Sequence, residues 1–256
     1  MMRLGGRSLR TIARAVRQPR HYRAALNTVR VYHQPWRVLY RYLSGAGAYP
    51  WDVPVRTPLG TCTPRVFSHA ALRTLYEIFG RLDYSVNEEP KVIVDIGSNI
   101  GLSALYFLTR NPKSRCYLFE PVPENVLRLQ QNLAQFRERY TLDTSAVADA
   151  DATVEFGVEP TGQYGGIGVR TGRSIQVRCR SINSVLADVL QRESRIDLLK
   201  IDTEGAEERT VTAVDSGYLD RIGAIYAEAK PGRPLLPGRF SQQQVGEVVR
   251  LYNLSW

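Results

Sequence analysis

Residues 92–101 read Val-Ile-Val-Asp-Ile-Gly-Ser-Asn-Ile-Gly, and this stretch decides the fold. The β-branched run at its start predicts a short buried strand, and residues 102–109 after it predict a helix. Glycines at positions 97 and 101 allow a sharp turn and let the backbone approach a ligand closely, beside the free N–H groups at the start of the helix. The stretch is therefore typical of a strand–loop–helix unit that binds a cofactor.

The charge beside this loop indicates which kind of cofactor it binds. The glycine spacing is G-x-x-x-G, whereas the dinucleotide fingerprint is G-x-G-x-x-G. An acid two positions before the first glycine would repel a pyrophosphate and attract a cation. S-adenosylmethionine carries an ammonium and a sulfonium group. We therefore predict it as the cofactor, held by Asp95, Gly97, Ser98, Asn99 and Gly101.

A second acid stands one βαβ repeat further on. Residues 115–119 predict the next strand, which ends in Glu120, 25 positions after Asp95. A carboxylate at the tip of this strand can accept hydrogen bonds from both ribose hydroxyls. The alternative is that Glu120 caps the helix predicted over residues 124–139.

A third segment, residues 196–207, reads Ile-Asp-Leu-Leu-Lys-Ile-Asp-Thr-Glu-Gly-Ala-Glu. It predicts a buried strand that ends in acids. Lys200 lies inside this strand, so we expect it to pair with a carboxylate. Asp202 lies at the carboxyl end, where open α/β sheets place their ligands. Glu204 either lines the pocket or favours the next helix through its dipole, and Glu207 fits the second role better.

These acids supply candidates for catalysis. A sugar hydroxyl is a poor nucleophile and needs a base as its proton leaves. Asp202 is the first candidate, with Glu204 and with Glu228, which follows the strand at residues 222–227, in support. Magnesium held by Asp202 and Glu228 is the second interpretation, because the sequence offers no convincing third ligand. The glycine-rich residues 162–168 are either a mobile lid over the acceptor or a hairpin loop.

The three motifs together resemble the FkbM-type methyltransferases. The resemblance rests on residues 94–101, on Phe119-Glu120-Pro121 with Asn125, and on residues 197–207. It implies a Rossmann-like class I methyltransferase fold, with a mostly parallel sheet between helices, that uses S-adenosylmethionine, usually for O-methylation of sugars, glycolipids or natural products. It also adds Asn125 to the cofactor-binding residues.

The C-terminal end departs from this pattern. Residues 240–252 predict a helix, which leaves little chain for the antiparallel strand pair that usually closes such a fold. Either the sheet is abbreviated or the strands predicted at residues 153–157 and 174–178 take its edge.

The net charge of +9 is concentrated at the N-terminal end. Residues 1–51 contain ten arginines and no acid, whereas 24 basic residues face 25 acidic ones in the rest of the chain. Five arginines between Arg3 and Arg17 recur every three or four positions, which predicts a basic amphipathic helix. Four interpretations of this helix stay open. It docks on the catalytic domain, it binds an anionic membrane through residues 3–17, it contacts nucleic acid, or it is a transit peptide.

Three parts are predicted along the chain. A basic helical arm covers residues 1–48, a connecting segment and helix cover 49–83, and the methyltransferase domain covers 84–256. In the arm, Tyr32, Trp36, Leu39, Tyr40 and Leu43 recur at helical spacings and predict a small helical core. Residues 44–58 are rich in glycine and proline and predict a linker.

The composition excludes several classes of protein. With 43% hydrophobic and 23% charged residues, the chain is neither disordered nor collagen-like. The distant Cys62, Cys116 and Cys179 form no disulfide framework, which predicts a reducing compartment. No apolar run is long enough to span a bilayer, so we expect a cytoplasmic protein that is either free or peripheral at the inner face of the membrane.

Two other functions remain as alternatives. An RNA methyltransferase should spread basic residues over its catalytic domain and carry a stacking motif for base amines, and neither is found, so a nucleic acid partner is not favoured. A membrane-tethered adaptor without activity should show a damaged cofactor loop, and the loop is intact. The acceptor and the oligomeric state do not follow from the sequence.

Overall fold

The computed structural model describes residues 3–4, 7–8, 19–86, 89–159, 165–169, 172–229 and 234–256 of the 256-residue chain. The chain divides into two compact units, residues 1–85 and residues 86–256.

The secondary structure elements are numbered in chain order. The helices are α1 Pro19–Val31, α2 Pro35–Ser44, α3 His69–Leu75, α4 Leu102–Leu108, α5 Pro123–Asn132, α6 Ile182–Arg192, α7 Glu207–Thr212 and α8 Ser216–Leu219. The strands of the first unit are β1 Arg3–Leu4, β2 Arg7–Ser8, β3 Trp51–Asp52, β4 Val55–Thr57, β5 Gly60–Cys62 and β6 Arg65–Val66. Those of the second unit are β7 Val92–Ile96, β8 Arg115–Phe119, β9 Tyr140–Asp143, β10 Ala146–Ala148, β11 Ala152–Val158, β12 Gly165–Ile167, β13 Ser174–Ser181, β14 Ile196–Ile201, β15 Ile222–Glu228, β16 Phe240–Val245 and β17 Val248–Asn253.

The second unit is built on a seven-stranded sheet in the order β16-β17-β15-β14-β7-β8-β9. Strands β9, β8, β7, β14 and β15 run parallel, each beside the next. The chain leaves β7 first toward β8 and β9 and later returns to β14 on its other side. Because parallel crossovers are right-handed, this reversal puts the connecting helices on opposite faces. The predicted Rossmann-like α/β fold is confirmed, and its switch point lies between β7 and β14, where such folds bind ligands.

The C-terminal prediction of a helix over residues 240–252 is wrong. These residues form the hairpin β16–β17, and β17 pairs antiparallel with β15, which completes the sheet. Only Gly246 and Glu247 connect the two strands, and Gly246 has a φ of 63°. A two-residue loop with a left-handed glycine is a characteristic hairpin turn, whereas a glycine there weakens a helix.

The strands between the second and third motifs form a separate sheet. Strands β10, β13, β11 and β12 lie in that order, with β10 parallel and β11 antiparallel to β13. The predicted strands at residues 153–157 and 174–178 are therefore present, but they do not take the edge of the large sheet. Phe156, Val158 and Val177 bury a small core of their own.

The first unit packs helices around a compact apolar core. Tyr32 is fully buried, and its hydroxyl donates to the carbonyl of Leu75 over 3.1 Å. Ser68 caps α3 by accepting from the N–H of Ala71, and a π-helical turn at Tyr76–Gly80 continues the helix. The stretch interpreted as a linker, residues 44–58, contains β3 and β4, which pair antiparallel with the later strands β6 and β5, respectively.

The predicted aromatic core of the arm is only partly present. Tyr32 is buried, but Trp36, Tyr40 and Leu43 are exposed. The buried face of α2 instead carries Val38 and Arg41. The Arg41 guanidinium stacks on the rings of Tyr49 and Trp51, at 4.6 and 4.2 Å from their centroids. Cation–π stacking lets an arginine occupy the inner face, which turns the large apolar residues outward.

Most of the predicted helix over residues 3–17 lies outside the described residues. The described residues at its start are not helical, since β1 pairs antiparallel with β2. In the part of the chain that the structure describes, no helix has both the length and the apolar character needed to cross a bilayer.

Candidate active site

The glycine loop lies directly against the end of β14. Gly97 has a φ of +74°, and a Cβ built on it would lie 1.7 Å from the carbonyl oxygen of Asp202. The N–H groups of Gly97 and Ser98 both donate to the carbonyl of Phe119 over 3.0 Å. The loop therefore folds across the ends of three neighbouring strands, and only a residue without a side chain fits at position 97.

Ser98 and Asn99 hold the shape of this loop. The Ser98 hydroxyl donates to the carbonyl of Asp95 over 2.7 Å and accepts from the N–H of Phe119 over 3.2 Å. Asn99 has a φ of 47°, and its side-chain oxygen accepts from the N–H of Ile100. Gly101, with a φ of 82°, is the N-cap of α4. The predicted loop residues thus shape the backbone that would face a cofactor.

Glu120 lies buried beside the loop. Its carboxylate accepts from the N–H of Asn99 over 2.8 Å, from the N–H of Val122 over 2.9 Å and from the Asn125 side chain over 3.3 Å. Burial outweighs these three donors and raises the pKa of Glu120 to about 7. Glu120 lies two residues before Val122, the N-cap of α5, and accepts from its N–H, so the alternative of an acid in the N-cap region stays open beside the ribose interpretation. The structure places Glu120 and Asn125 together at the predicted cofactor side.

A buried lysine joins the glycine loop to the acids of the third motif. Lys200 lies opposite Asp95 in the parallel register of β14 and β7. Its Nζ is 3.0 Å from Asp95 Oδ1 and 3.4 Å from Asp202 Oδ2, and it donates to the carbonyl of Gly97 over 3.1 Å. Although burial alone would lower it, the two carboxylates raise the pKa of Lys200 above its ordinary value. The expected ion pair of Lys200 is therefore present. The second oxygen of Asp95 accepts from the Ser103 hydroxyl.

The three candidate catalytic acids meet at the ends of β14 and β15. One carboxylate oxygen from each of Asp202, Glu204 and Glu228 lies within 4.8 Å of the other two. Burial first, and then Asp202, raises the pKa of Glu228 to about 9. The same two causes raise the pKa of Glu204 to about 7. At neutral pH the cluster thus contains a carboxyl group, that of Glu228, that retains its proton.

Glu207 serves the turn rather than this cluster. Its carboxylate accepts from the N–H groups of Thr203 and Gly205, over 2.8 and 3.0 Å. Those bonds hold the residues between β14 and α7, where Glu204 has a left-handed φ of 56°. The structural interpretation of Glu207 is therefore supported.

A cleft that is partly open to solvent lies along the glycine loop and the ends of β8 and β14. Its lining includes Gly97, Asn99, Glu120, Asn125, Asp202 and Glu204 from the motifs. On the far side, β12 pairs with β11 as a hairpin, and a Cβ on Gly166 would lie 2.9 Å from the Glu204 carbonyl oxygen. Of the glycine-rich residues 162–168, the structure describes 165–168, which form β12 and the turn after it, whereas 162–164 lie outside the described residues, so the lid and the hairpin loop both stay predictions.

Comparison with known proteins identifies the family. The family described as the methyltransferase FkbM domain matches residues 95–234, more than half of the chain. The chain belongs to this family. The FkbM domain is thus a methyltransferase, and the adaptor interpretation is not needed.

Three relatives illustrate the range of the family. The chain is 27% identical over 210 residues to the 31-O-demethyl-FK506 methyltransferase FkbM of Streptomyces tacrolimicus, covering 68% of this chain and 80% of that protein. It is 27% identical over 194 residues to the AMB antimetabolite synthetase AmbE of Pseudomonas aeruginosa, covering 61% of this chain but only 9% of AmbE. A segment of 73 residues is 36% identical to the 2-O-methyltransferase NoeI of Sinorhizobium fredii, covering 28% of this chain and 30% of NoeI.

Sequence reasoning missed one wall of the FkbM cleft. Ser145, Val147, Phe156 and Ile167 line it, and they come from β10, β11, β12 and the turn before β10. The Ser145 N–H donates to Asp143, which ends β9. Open α/β sheets bind ligands at the carboxyl ends of their strands, so the end of β9 is a further position for a ligand contact. The sequence could have indicated this wall only through that position, because no motif marks residues 143–147.

Proposed function

We propose that this FkbM domain transfers the methyl group of S-adenosylmethionine to a hydroxyl of a sugar, glycolipid or natural product. The observation that carries the proposal is the cluster of Asp202, Glu204 and Glu228 beside the glycine loop. The names of two relatives, a 31-O-demethyl-FK506 methyltransferase and a 2-O-methyltransferase, support an oxygen acceptor.

The charges around the cleft suit this cofactor. The Nζ of Lys200 lies 3.0 Å from the Asp95 carboxylate and 3.4 Å from the Asp202 carboxylate, and one carboxyl oxygen each of Glu204 and Glu228 lies within 4.8 Å of an oxygen of Asp202. A sulfonium ion brings positive charge to such an environment. Glu120 lies on the opposite side of the glycine loop, where its carboxylate can accept from ribose hydroxyls. Bound there, the cofactor would supply an activated methyl group.

The residues of the chain would align the acceptor and take its proton. The acceptor oxygen forms a bond to the methyl carbon while the carbon–sulfur bond breaks, and its electron pair stays on sulfur. The hydroxyl proton passes to the Asp202 carboxylate and then to solvent. Glu228 has a pKa of about 9 and carries a proton at neutral pH, so it cannot accept another one. Of the two strand-end acids Asp202 and Glu228, we therefore assign the role of base to Asp202.

Calorimetry and turnover together test the proposal. S-adenosylhomocysteine should bind the full chain with micromolar affinity, and labelled methyl from S-adenosylmethionine should enter a lipid, glycan or small-molecule fraction. Asp202→Asn should lower kcat on that acceptor by about 10²-fold or more while product affinity changes less than about threefold. The control is Asp220→Asn, an exposed aspartate on the same unit, which should change neither. No binding, label in RNA, or full activity of Asp202→Asn would refute the proposal.

Magnesium assistance is the second candidate, and one observation favours it. The structure brings Glu204 next to Asp202 and Glu228, so it is a third carboxylate ligand that the sequence alone did not place there. Magnesium prefers oxygen ligands of this kind. However, the Lys200 ammonium already lies 3.4 Å from Asp202 and would repel a divalent ion there. A chelator separates the two versions, because the general-base version predicts unchanged turnover in its presence.

A further inference from the structure

The first unit exposes an unusual share of its large apolar side chains. Among the described residues, ten such side chains are exposed, and five of them belong to α1 and α2. Trp36 is 73% exposed, Tyr40 64% and Leu43 56%, all on α2. Leu26 and Val29 are exposed on α1. Single exposed hydrophobic residues are normal, but half of them on two short helices indicates a surface with a partner.

The exposed residues form a regular face on each helix. Positions 36, 40 and 43 follow the i, i+4, i+7 spacing of one helical face. The opposite face of α2 is buried through Val38 and Arg41. On α1, positions 26 and 29 share a face, whereas Ala24 and Thr28 are buried. We call Trp36, Tyr40, Leu43, Leu26 and Val29 the outer apolar face.

The charge around this face selects its partner. Residues 19–44 contain no acid, and Arg30 and Arg37 are exposed on the same helices. A second copy of the chain would bring arginines against arginines, which opposes self-association. Nucleic acid would satisfy the arginines but would leave Leu26, Val29 and Leu43 without an apolar environment. An anionic bilayer supplies both negative charge and an apolar interior, and tryptophan and tyrosine favour the boundary between them.

We propose that α1 and α2 dock on the surface of an anionic lipid bilayer through the outer apolar face. Trp36, Tyr40 and Leu43 enter the headgroup region, and the exposed Arg30 and Arg37 contact the lipid phosphates. This inference goes beyond methyl transfer and does not depend on it.

Vesicle flotation of the full chain tests the docking. The chain should float with vesicles of phosphatidylcholine and phosphatidylglycerol and stay behind with phosphatidylcholine alone. The triple variant Trp36→Ser/Tyr40→Ser/Leu43→Ser should reduce bound protein at least tenfold. The matched control is Leu127→Ser/Leu254→Ser, two leucines 67% and 64% exposed in the other unit, which should bind like the parent chain. All five positions are exposed, so the variants should fold.

A fluorescence experiment locates the contact. The chain has three tryptophans, and brominated anionic lipids should quench the parent chain but quench the Trp36→Phe variant far less. Three results would overturn the proposal. The first is vesicle binding that survives in the triple variant, and the second is lipid quenching that is unchanged in Trp36→Phe. The third is a dimer or an RNA complex that the triple variant loses while it still binds vesicles.

Discussion

Replacing Gly97 by alanine tests the close contact between the glycine loop and the end of β14. The added Cβ would lie 1.7 Å from the Asp202 carbonyl oxygen, so the two backbones must separate by more than 1 Å to reach a tolerable 3.0 Å. The left-handed φ of +74° costs an alanine about 1–2 kcal/mol, and overpacking adds about 1–3 kcal/mol. We therefore expect Gly97→Ala to lower the free energy of unfolding by about 2–5 kcal/mol.

Two other glycines provide the controls. Gly238 has a similar φ of +82° but no atom within 4 Å of a built Cβ, so Gly238→Ala should cost only about 1–2 kcal/mol. At Gly101 the Cβ would lie 3.1 Å from a Leu129 side-chain atom that can yield, and Gly101→Ala should fall between the two. Urea unfolding gives the order, and calorimetry with S-adenosylhomocysteine should show at least tenfold weaker binding for Gly97→Ala alone. Equal costs at positions 97 and 238 would refute the reasoning.

Two further predictions concern the buried charges. Lys200→Met should cost about 3–5 kcal/mol because it leaves the Asp95 carboxylate buried without a cation, and adding Asp95→Asn should recover part of that loss. The exposed Arg239–Asp220 pair is the control, and Arg239→Met should lower the free energy of unfolding by about 1 kcal/mol or less in the same urea assay. If Lys200→Met and Arg239→Met had similar costs, the stabilising role of the buried Lys200–Asp95 pair would be contradicted. Glu120 has a pKa of about 7, and ribose hydroxyls favour its ionised form, so binding of S-adenosylhomocysteine should weaken below pH 7 and release a proton at pH 6 but little at pH 8.5. Calorimetry in buffers of different ionisation enthalpy measures the number of protons released. Glu204 also has a pKa of about 7, so the release should persist in Glu204→Gln if Glu120 is its source. Equal release at both pH values would exclude Glu120 as that source.

The motif-bearing half of the fold could be predicted from the sequence because its signals are local. A β-branched run, a glycine turn and a terminal acid each report on a few adjacent residues, and β7, β8, β14 and β15 have such signals. The ion pair of Lys200 was also predictable, since a lysine in a central strand must find a carboxylate. Which carboxylate it finds depends on the register between β7 and β14, and that register joins residues more than a hundred positions apart.

The errors share a different cause, which is competition between two plausible periodicities. Residues 240–252 carry apolar side chains at helical spacings, yet the Gly246 turn and the open edge of β15 decide for a hairpin. On α2, both faces carry large apolar residues, and the stacking of Arg41 on aromatic rings decides which face is buried. In each case a tertiary contact, invisible in the local pattern, selects between two locally acceptable structures.

The register of β7 and β14 also explains why the motifs should act as one unit. Asp95 lies two residues before Gly97, Lys200 lies two residues before Asp202, and the two strands run parallel with Asp95 beside Lys200. Asp95 of the first motif therefore contacts Lys200 of the third, and two residues further along each chain segment Gly97 contacts the backbone of Asp202. Because Lys200 contacts both Asp95 and Asp202, a change of charge at the glycine loop must alter the electrostatic field at the proposed base. Effects of variants in the two motifs should consequently be non-additive, unlike those of distant independent sites.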